Sequence, residues 1–239
     1  MGKVWAKRAY KMRGFFNYAY SLLMLRYTKA NLGRLRRQLK GCAVDRMHIG
    51  CGNVILDGWL NVLYERRQEY GRLEQRGKGW FLNYDLLGPW PVEDNSLSFV
   101  AGSHMIEHLD LNHGLMLTAQ AYKALKSGGT IRLSCPDLET YARRYVAGDK
   151  AFFDQPLIRE WCAFTNAQTP GQVFIAKAYD SGGAHKWFYD FESLKNILER
   201  AGFTNIRKVG RLEGKTPDLP LLEPAQRELE TVYVEAVKP

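Results

Sequence analysis

The chain has 239 residues, of which 46% are hydrophobic and 25% are charged, a size that favours one domain and a composition ordinary for a soluble globular protein. Its net charge of +9 is concentrated at one end, because eleven of the 34 Lys and Arg residues lie within residues 1–40, which contain no Asp or Glu. The four cysteines show no CxxC or Cys/His ligand spacing. This argues against a zinc motif and a disulfide framework and favours the reducing cytoplasm.

Residues 1–40 are predicted to form a basic amphipathic helical arm. Its apolar stretch, 15–25, is shorter than the roughly 18–20 residues that a spanning helix needs, so we expect a protein that is neither secreted nor spanning. Aromatic and aliphatic residues among the basic ones suit an anionic membrane surface, which predicts a cytoplasmic protein, peripheral on the inner membrane face. Binding of nucleic acid ranks lower, because the rest of the chain is close to neutral. A helix packed on its own domain is the third interpretation.

From residue 46 onward, strand and helix patterns alternate, which predicts an α/β fold with a doubly wound, mostly parallel sheet. Seven strands are predicted, over residues 46–49, 59–63, 80–84, 97–101, 130–135, 203–211 and 231–237. Amphipathic helices are expected after Leu111 and after Asp190, with Asp190 as the cap of the second and Gly202 at its end. Only a loop separates the last two strands, so we expect them to pair antiparallel.

Within the domain of residues 41–239, the alternation stops over an aromatic-rich insertion at about residues 137–189. One interpretation is helical packing over an edge of the sheet. The other is a lid that shapes a substrate pocket. Both remain open, because a lid must also pack.

Three segments place glycine or polar residues after predicted strands. Gly50 to Asn53 form a glycine turn after the first strand, which would let a ligand approach the backbone; a simple tight turn is the alternative. Asp85 ends the third strand, at the sheet edge where ligands of open α/β folds bind; a helix cap is the alternative. His104, Glu107 and His108 follow the fourth strand at the same edge, and a surface histidine pair is the alternative there.

Taken together, these segments resemble the core of class I S-adenosylmethionine-dependent methyltransferases. The resemblance is carried by Met47–Asn53, Leu56–Val62, Asp85–Leu86, Pro91–Ser96, His104–Leu109, Leu125–Gly129 and Cys135–Leu138. His185–Asp190 and Tyr233–Ala236 are similar to segments of a narrower bacterial branch, type 11-like and associated with polysaccharide modification. The resemblance covers residues 45–237, and its motifs are specific as a group.

The resemblance implies a Rossmann-like sheet of seven strands in the order 3-2-1-4-5-7-6, with an antiparallel last strand. It also implies S-adenosylmethionine as cofactor and S-adenosylhomocysteine as product. The implied cofactor-binding residues are Gly50, Cys51, Gly52, Asn53, Leu63, Glu65, Asp85, Leu86, His104 and Glu107. Gly50 and Gly52 would border the methionine portion, and Asp85 would hold the adenine. The family usually ends the second strand with an acid that accepts both ribose hydroxyls, whereas Leu63 cannot accept a hydrogen bond, and Glu65 is the candidate substitute.

A methyltransferase must orient its acceptor and, for a hydroxyl acceptor, remove a proton. The candidate bases are His108, Asp137 and His185, although Asp137 has the alternative role of capping the next helix. No metal site is expected. The resemblance implies methyl transfer to an oxygen of a sugar, glycan or lipid-linked polar acceptor. The alternatives are an RNA methyltransferase that grips RNA with the arm, and a catalytically inactive binding protein, which Leu63 motivates.

Overall fold

The computed structural model describes residues 32–65, 68–160, 166–179 and 184–239. Its strands are β1 Arg46–Ile49, β2 Leu60–Leu63, β3 Leu73–Arg76, β4 Gly79–Asn83, β5 Leu97–Ser103, β6 Leu125–Pro136, β7 Thr204–Val209 and β8 Thr231–Val237. They form one sheet in the order β3-β4-β2-β1-β5-β6-β8-β7. Strands β1, β2, β4, β5 and β6 run parallel, and β8 is antiparallel to both of its neighbours, β6 and β7.

The sheet confirms the predicted α/β fold and adds one strand to it. With β3 set aside, the remaining order corresponds to 3-2-1-4-5-7-6, and the final strand is antiparallel as expected. The predicted number of seven strands is wrong, because it does not include β3. This edge strand reads Leu-Glu-Gln-Arg and buries none of its residues, so it lacks the apolar alternation by which a strand is recognised.

The helices flank the sheet and join its strands. They are α1 at 32–41, α2 Leu111–Ala124, α3 Leu138–Val146, α4 Lys150–Phe153, α5 Pro156–Arg159, α6 Pro170–Tyr179, α7 Phe191–Ala201 and α8 Leu219–Leu222, with 3₁₀ turns at Ile106–His108 and Ala225–Glu230. The Asp190 side chain caps α7 by accepting from Ser193 N at 2.8 Å, and Gly202 ends the helix at φ +103°, both as predicted. In the part of the chain described, no helix is long and apolar enough to cross a membrane.

Helix α1 belongs to the folded domain. Leu35 and Leu39 are buried in the main core, which lies between the sheet and the helices α2 and α7. The end of the predicted arm therefore packs on the domain, which agrees with the third interpretation of residues 1–40, a helix packed on its own domain. Residues 1–31, which carry the rest of the predicted arm, lie outside the described residues.

The insertion at 137–189 builds a second, smaller core. The Tyr141 ring is fully buried and lies 5.2 Å from the Phe152 ring, 5.8 Å from Phe174 and 5.4 Å from Phe188, measured between centroids. Edge-to-face and offset aromatic pairs of this kind stabilise a packed layer. The insertion is thus a helical layer with a core of its own, beside the carboxyl end of β6.

Arg132 of β6 is fully buried, and groups from the C-terminal part of the chain neutralise its charge. Its Nε donates to Glu223 Oε1 at 2.9 Å, and its Nη1 lies 3.3 Å from Glu235 Oε1. The guanidinium also donates to three main-chain carbonyls, those of Gly210, Arg211 and Glu213. A buried charge needs such complete pairing. These ion pairs and hydrogen bonds join β6 to the segments that follow β7.

Candidate active site

The turn after β1 has the glycine geometry that the sequence predicts. Gly50 and Gly52 have φ angles of +67° and +51°, in the left-handed region that glycine adopts most easily. A Cβ atom on Gly50 would overlap the Met105 side chain, whereas around Gly52 no described atom lies within 4 Å of that position. Gly52 therefore leaves the backbone open to a ligand, and Gly50 lets the loop after β5 approach the end of β1.

Cys51 and Asn53 complete this turn. Cys51 N donates to Val62 O at 3.0 Å, which joins the end of β1 to the end of β2. The Cys51 side chain is buried, and burial raises the pKa of its thiol to about 12. The thiol therefore serves packing rather than nucleophilic chemistry. Asn53 is exposed on the turn.

The loops after β2 and β4 are held together by main-chain and amide hydrogen bonds. Tyr84 N donates to Leu63 O at 3.0 Å, so Asp85 follows directly beside the end of β2. The buried Asn83 amide accepts from Glu65 N at 2.8 Å and donates to Glu65 O at 3.0 Å. Leu63 is half-buried, while Glu65 is exposed with its backbone fixed. An acid is thus available two residues beyond the end of β2.

Asp85 and Leu86 begin the turn after β4. Asp85 Oδ1 accepts from Leu87 N at 3.0 Å and so closes a turn, and among the described residues no helix begins here for it to cap. The Asp85 side chain is nevertheless half-exposed at the sheet edge, so the carboxylate can still face a ligand. Leu86 contributes its carbonyl, which accepts from the Trp90 indole at 3.0 Å.

A cavity of about 290 Å³ opens beside the carboxyl ends of β5 and β6. Its lining residues come from the loops after these two strands, from the insertion and from the turn before β8. They are His104, Glu107, His108, Pro136, Lys177, Ala184, His185 and Arg227. The structure thus brings His104, Glu107 and His108 together with His185, which is distant in sequence. The Gly50–Met105 contact links this cavity to the turn after β1.

Glu107 is the buried anion of the cavity. Its Oε1 lies 3.4 Å from His104 Nδ1 and 4.0 Å from His185 Nε2. Burial alone would raise the pKa of this carboxyl, but the His104 hydrogen bond and the attraction of His104, His108 and His185 outweigh it and hold the pKa below its ordinary value. Its other oxygen, Oε2, is buried and has no hydrogen-bond partner among the described residues. Glu107 is therefore an ionised group whose pairing is incomplete.

His108 and His185 present their rings to Glu107 with defined orientations. His108 Nδ1 donates to Ala184 O at 3.1 Å, and His185 Nδ1 donates to Lys177 O at 2.8 Å. The two rings meet edge to face with centroids 5.0 Å apart. Burial lowers the pKa of His185, although the Glu107 charge opposes this. In its neutral form, His185 carries the Nε2 lone pair that a base or a ligand requires.

His104 is held by a hydrogen bond to the start of β8. Its φ angle is +49°, an uncommon conformation for a residue other than glycine. The Thr231 hydroxyl donates to Arg227 O at 2.6 Å and accepts from His104 Nε2 at 2.9 Å. His104 Nδ1 consequently faces Glu107. Strained backbone of this kind is characteristic of functional sites.

Asp137 has the capping role that the sequence analysis gave as its alternative. Its buried carboxylate caps α3, where it accepts from Glu139 N at 3.2 Å and from the Thr140 hydroxyl at 2.7 Å. It is not among the described residues that line the cavity. The structure therefore favours the capping alternative for Asp137 and leaves His108 and His185 as the candidate bases.

The sequence analysis did not identify two cationic residues that line the cavity, Lys177 and Arg227, or their partner Glu230. Glu230 is fully buried, and its Oε2 lies 2.8 Å from Lys177 Nζ and 2.5 Å from the Tyr141 hydroxyl. Arg227 Nη1 lies 3.2 Å from Glu230 Oε1. One signal was present in the sequence, because Lys177 falls four residues after the buried Val173 and so shares the apolar face of α6.

Comparisons with known proteins find only distant structural likenesses. No family model and no curated protein matches the chain. A SAM-dependent methyltransferase from Archaeoglobus fulgidus is 18% identical with a TM-score of 0.43 and covers 92% of this chain and 99% of its own. One from Thermotoga maritima is 20% identical with a TM-score of 0.48 and covers 95% and 97%. Phosphoethanolamine N-methyltransferase 2 from Haemonchus contortus, in complex with S-adenosyl-L-methionine, is 14% identical with a TM-score of 0.40 and covers 82% and 49%. At such identities and scores, none of these likenesses identifies an activity.

Proposed function

We propose that the protein is an S-adenosylmethionine-dependent methyltransferase. The observation that carries the proposal is the joining of four loops at the carboxyl edge of the parallel strands. Cys51 N bonds to Val62 O, Tyr84 N bonds to Leu63 O, and Met105 packs on Gly50. Ligands of open α/β sheets bind at this edge, and the sequence segments that resemble class I methyltransferases lie on these same loops.

The residues present fit the cofactor at two positions and fit it poorly at a third. The open backbone at Gly52 leaves room for the methionine portion, and the half-exposed Asp85 carboxylate is an acceptor for the adenine amino group. Leu63 offers the ribose no hydrogen bond, so Glu65 is the acid that would accept from its hydroxyls. The cofactor, when bound, supplies an activated methyl group on a sulfonium.

The cavity beyond Gly50 supplies the groups that the acceptor needs. Either His108 or His185 would take the proton of an acceptor hydroxyl as the oxygen–methyl bond forms. The bond between the methyl group and the sulfonium would break in the same step, which would leave S-adenosylhomocysteine. Glu107 stabilises the imidazolium that results, because it is ionised and lies 4.0 Å from His185 Nε2. Only 8% of the His185 side chain and 1% of the Glu107 side chain are exposed, which would limit the access of competing water to them.

For the acceptor we propose an oxygen of a sugar, a glycan or another lipid-linked polar molecule. The cavity volume of about 290 Å³ is close to the lower end of small-molecule sites, roughly 300 Å³, and suits a single ring. Its lining of imidazole, guanidinium and carboxylate groups suits hydroxyls. The predicted membrane-binding arm fits this class of acceptor, since a lipid-linked glycan is presented at a membrane surface.

Calorimetric titration tests the cofactor assignment. We expect S-adenosylmethionine and S-adenosylhomocysteine to bind, and ATP and NAD to bind far more weakly. Asp85→Ala should weaken binding about tenfold, as expected for loss of a charged acceptor, whereas Asp94→Ala on the exposed turn before β5 should not change it. Failure of both adenosyl ligands to bind would overturn the proposal, and binding without turnover of any acceptor would favour an inactive binding protein.

Mass spectrometry of an acceptor screen tests the chemistry. Sugars, nucleotide sugars, glycolipid extracts and RNA are each incubated with the protein and labelled cofactor. His185→Gln should lower kcat, whereas His113→Gln, at a histidine on the surface of α2, should leave kcat unchanged. Methylation of RNA alone would replace the glycan acceptor by the RNA alternative.

Co-sedimentation with vesicles tests the arm. We expect salt-dependent binding to vesicles of phosphatidylglycerol and little binding to phosphatidylcholine. Deletion of residues 1–31 should abolish this binding to phosphatidylglycerol vesicles. The deletion ends at residue 31 because Leu35 and Leu39 are part of the core. Equal binding to both vesicle types would exclude an electrostatic membrane contact.

A further inference from the structure

We infer that Glu107, His108 and His185 form a binding site for a divalent transition-metal ion, with Zn²⁺ as the ion that this donor set favours. One ligand atom from each residue lies within 4.8 Å of the other two. The sequence analysis assigned His108 and His185 as candidate bases and Glu107 as a cofactor-binding residue, but it did not predict a metal site. The inference goes beyond methyl transfer, because binding of the metal ion can be tested without the cofactor or an acceptor.

The three ligand residues and their spacing suit a metal ion that is held by three protein ligands and keeps a fourth coordination position for water or substrate. Two imidazoles and one carboxylate hold catalytic zinc in proteins, and a water or substrate oxygen completes the tetrahedron. With bonds of about 2.0–2.1 Å, tetrahedral ligand atoms lie about 3.3 Å apart. The separation of 4.0 Å between Glu107 Oε1 and His185 Nε2 therefore closes with a shift of less than about 1 Å.

Both imidazoles are already oriented in the way that metal ligands are. A metal-bound histidine normally donates its second ring nitrogen to a carbonyl or a carboxylate. His185 donates Nδ1–H to Lys177 O, and His108 donates Nδ1–H to Ala184 O. When Nδ1 carries the proton of a neutral imidazole, the lone pair is on Nε2. The hydrogen bonds fix the tautomer that coordinates.

The second observation is the incomplete pairing of Glu107. Glu107 lines the cavity, its Oε2 is buried without a hydrogen-bond partner among the described residues, and the residue is only 1% exposed. Leaving a buried charged oxygen unpaired is costly. The nearby cations do not pair with it, because Lys177 and Arg227 both bind Glu230. A metal ion in the cavity would supply the missing partner.

The surrounding charge selects the class of ion. Lys177 and Arg227 line the same cavity, and only one carboxylate belongs to the donor set. Hard ions such as Mg²⁺ and Ca²⁺ prefer several oxygen ligands, whereas Zn²⁺ binds imidazole well. A hydroxyl bound at the open position would have its pKa lowered by the ion. It would then lose its proton to solvent, because His108 and His185 do not act as bases while they coordinate the ion.

Metal titration of the full chain tests the inference. The protein is first treated with a chelator and then titrated with Zn²⁺, or with Co²⁺ while its visible absorption is followed. We expect one ion per chain and the absorption of a four-coordinate Co²⁺ site. His108→Gln and His185→Gln should each weaken binding by more than about tenfold, and His113→Gln should leave it unchanged.

Two results would overturn the inference. One is the absence of stoichiometric binding to the wild type. The other is a pair of variants, folded by circular dichroism, that bind Zn²⁺ as tightly as the wild type, since this would place the ion elsewhere. Glu107→Gln adds a further check, because loss of the carboxylate should weaken the site while the imidazoles remain. Cofactor binding measured without metal keeps this outcome separate from the test of methyl transfer.

Discussion

The side chain of Met105 occupies the position where a Cβ atom on Gly50 would stand. Gly50→Ala should therefore cost more stability than Gly52→Ala, although both residues have positive φ angles. The left-handed backbone alone costs alanine about 1–2 kcal/mol, and at Gly50 the displacement of Met105 adds to this. Urea unfolding of both variants measures the difference.

The matching control is Gly50→Ala in a Met105→Ala background. Removal of the obstructing side chain should recover part of the loss, which a double-mutant cycle reports as a coupling between the two sites. Equal destabilisation by the two alanine variants would show that the contact has no energetic role.

We expect the buried His48 to make the protein less stable in mildly acidic solution. Burial lowers its pKa from 6.5 to about 4, against the smaller opposing effect of its hydrogen bond to Asn61. Between these two values the unfolded chain binds a proton and the folded chain does not, so stability falls as the pH is lowered. The full effect is about 3 kcal/mol. Urea unfolding between pH 7 and pH 4 measures it.

The control is His48→Gln, which removes the titrating group. The difference in the free energy of unfolding between wild type and variant reports the contribution of His48 alone. The carboxyl groups of Glu107, Glu230 and Glu235 have lowered pKa values, and their contributions to stability are lost at lower pH. A parallel fall in both proteins would contradict the assignment.

Lys177→Met should be strongly destabilising. The substitution leaves the buried Glu230 carboxylate without its ammonium partner at 2.8 Å, and breaking a buried ion pair costs about 3–5 kcal/mol. Lys208→Met is the control, because Lys208 is half-exposed at 3.7 Å from Asp137 and an exposed pair contributes about 1 kcal/mol or less. Chemical denaturation compares the two, and similar losses would contradict a special role for Lys177.

Leu63→Glu should tighten binding of S-adenosylmethionine. The new carboxylate would stand at the end of β2, where it can accept from ribose hydroxyls, and a charge-assisted hydrogen bond contributes about 1.5–3 kcal/mol. We expect about a tenfold lower Kd by calorimetry, with Leu63→Met unchanged. Glu65→Gln in the wild-type background should weaken binding if Glu65 now fills this role. No gain from Leu63→Glu would place the ribose elsewhere.

The sequence predicted the sheet better than the site. The strands β1, β2, β4, β5, β6, β7 and β8 follow from apolar patterns, and their order follows from the resemblance. The polar edge strand β3 has no such pattern. Asp137 could not be assigned from the sequence, because capping and catalysis place the same residue type at the same position. Its hydrogen bonds to Glu139 and Thr140 settle its structural role.

The contact between His108 and His185 lay beyond sequence reasoning for a different reason. Main-chain groups join the end of the insertion to the loop after β5: Glu107 O accepts from Lys186 N at 2.8 Å, and Ala184 O accepts from His108 Nδ1 at 3.1 Å. A main-chain contact of this kind leaves no residue-type signal. Lys177 is the exception, since a charged residue on an apolar helix face indicates a buried partner.

The position of β8 has a consequence for the order in which the fold is completed. β8 lies between β6 and β7, yet it follows both of them in the chain. A nascent polypeptide that has not reached Thr231 leaves β6 with a bare edge and leaves the Arg132 guanidinium without Glu235. Until β8 is synthesised, the half-built sheet therefore has an exposed edge that is open to pairing with other chains. Late insertion of β8 removes that hazard.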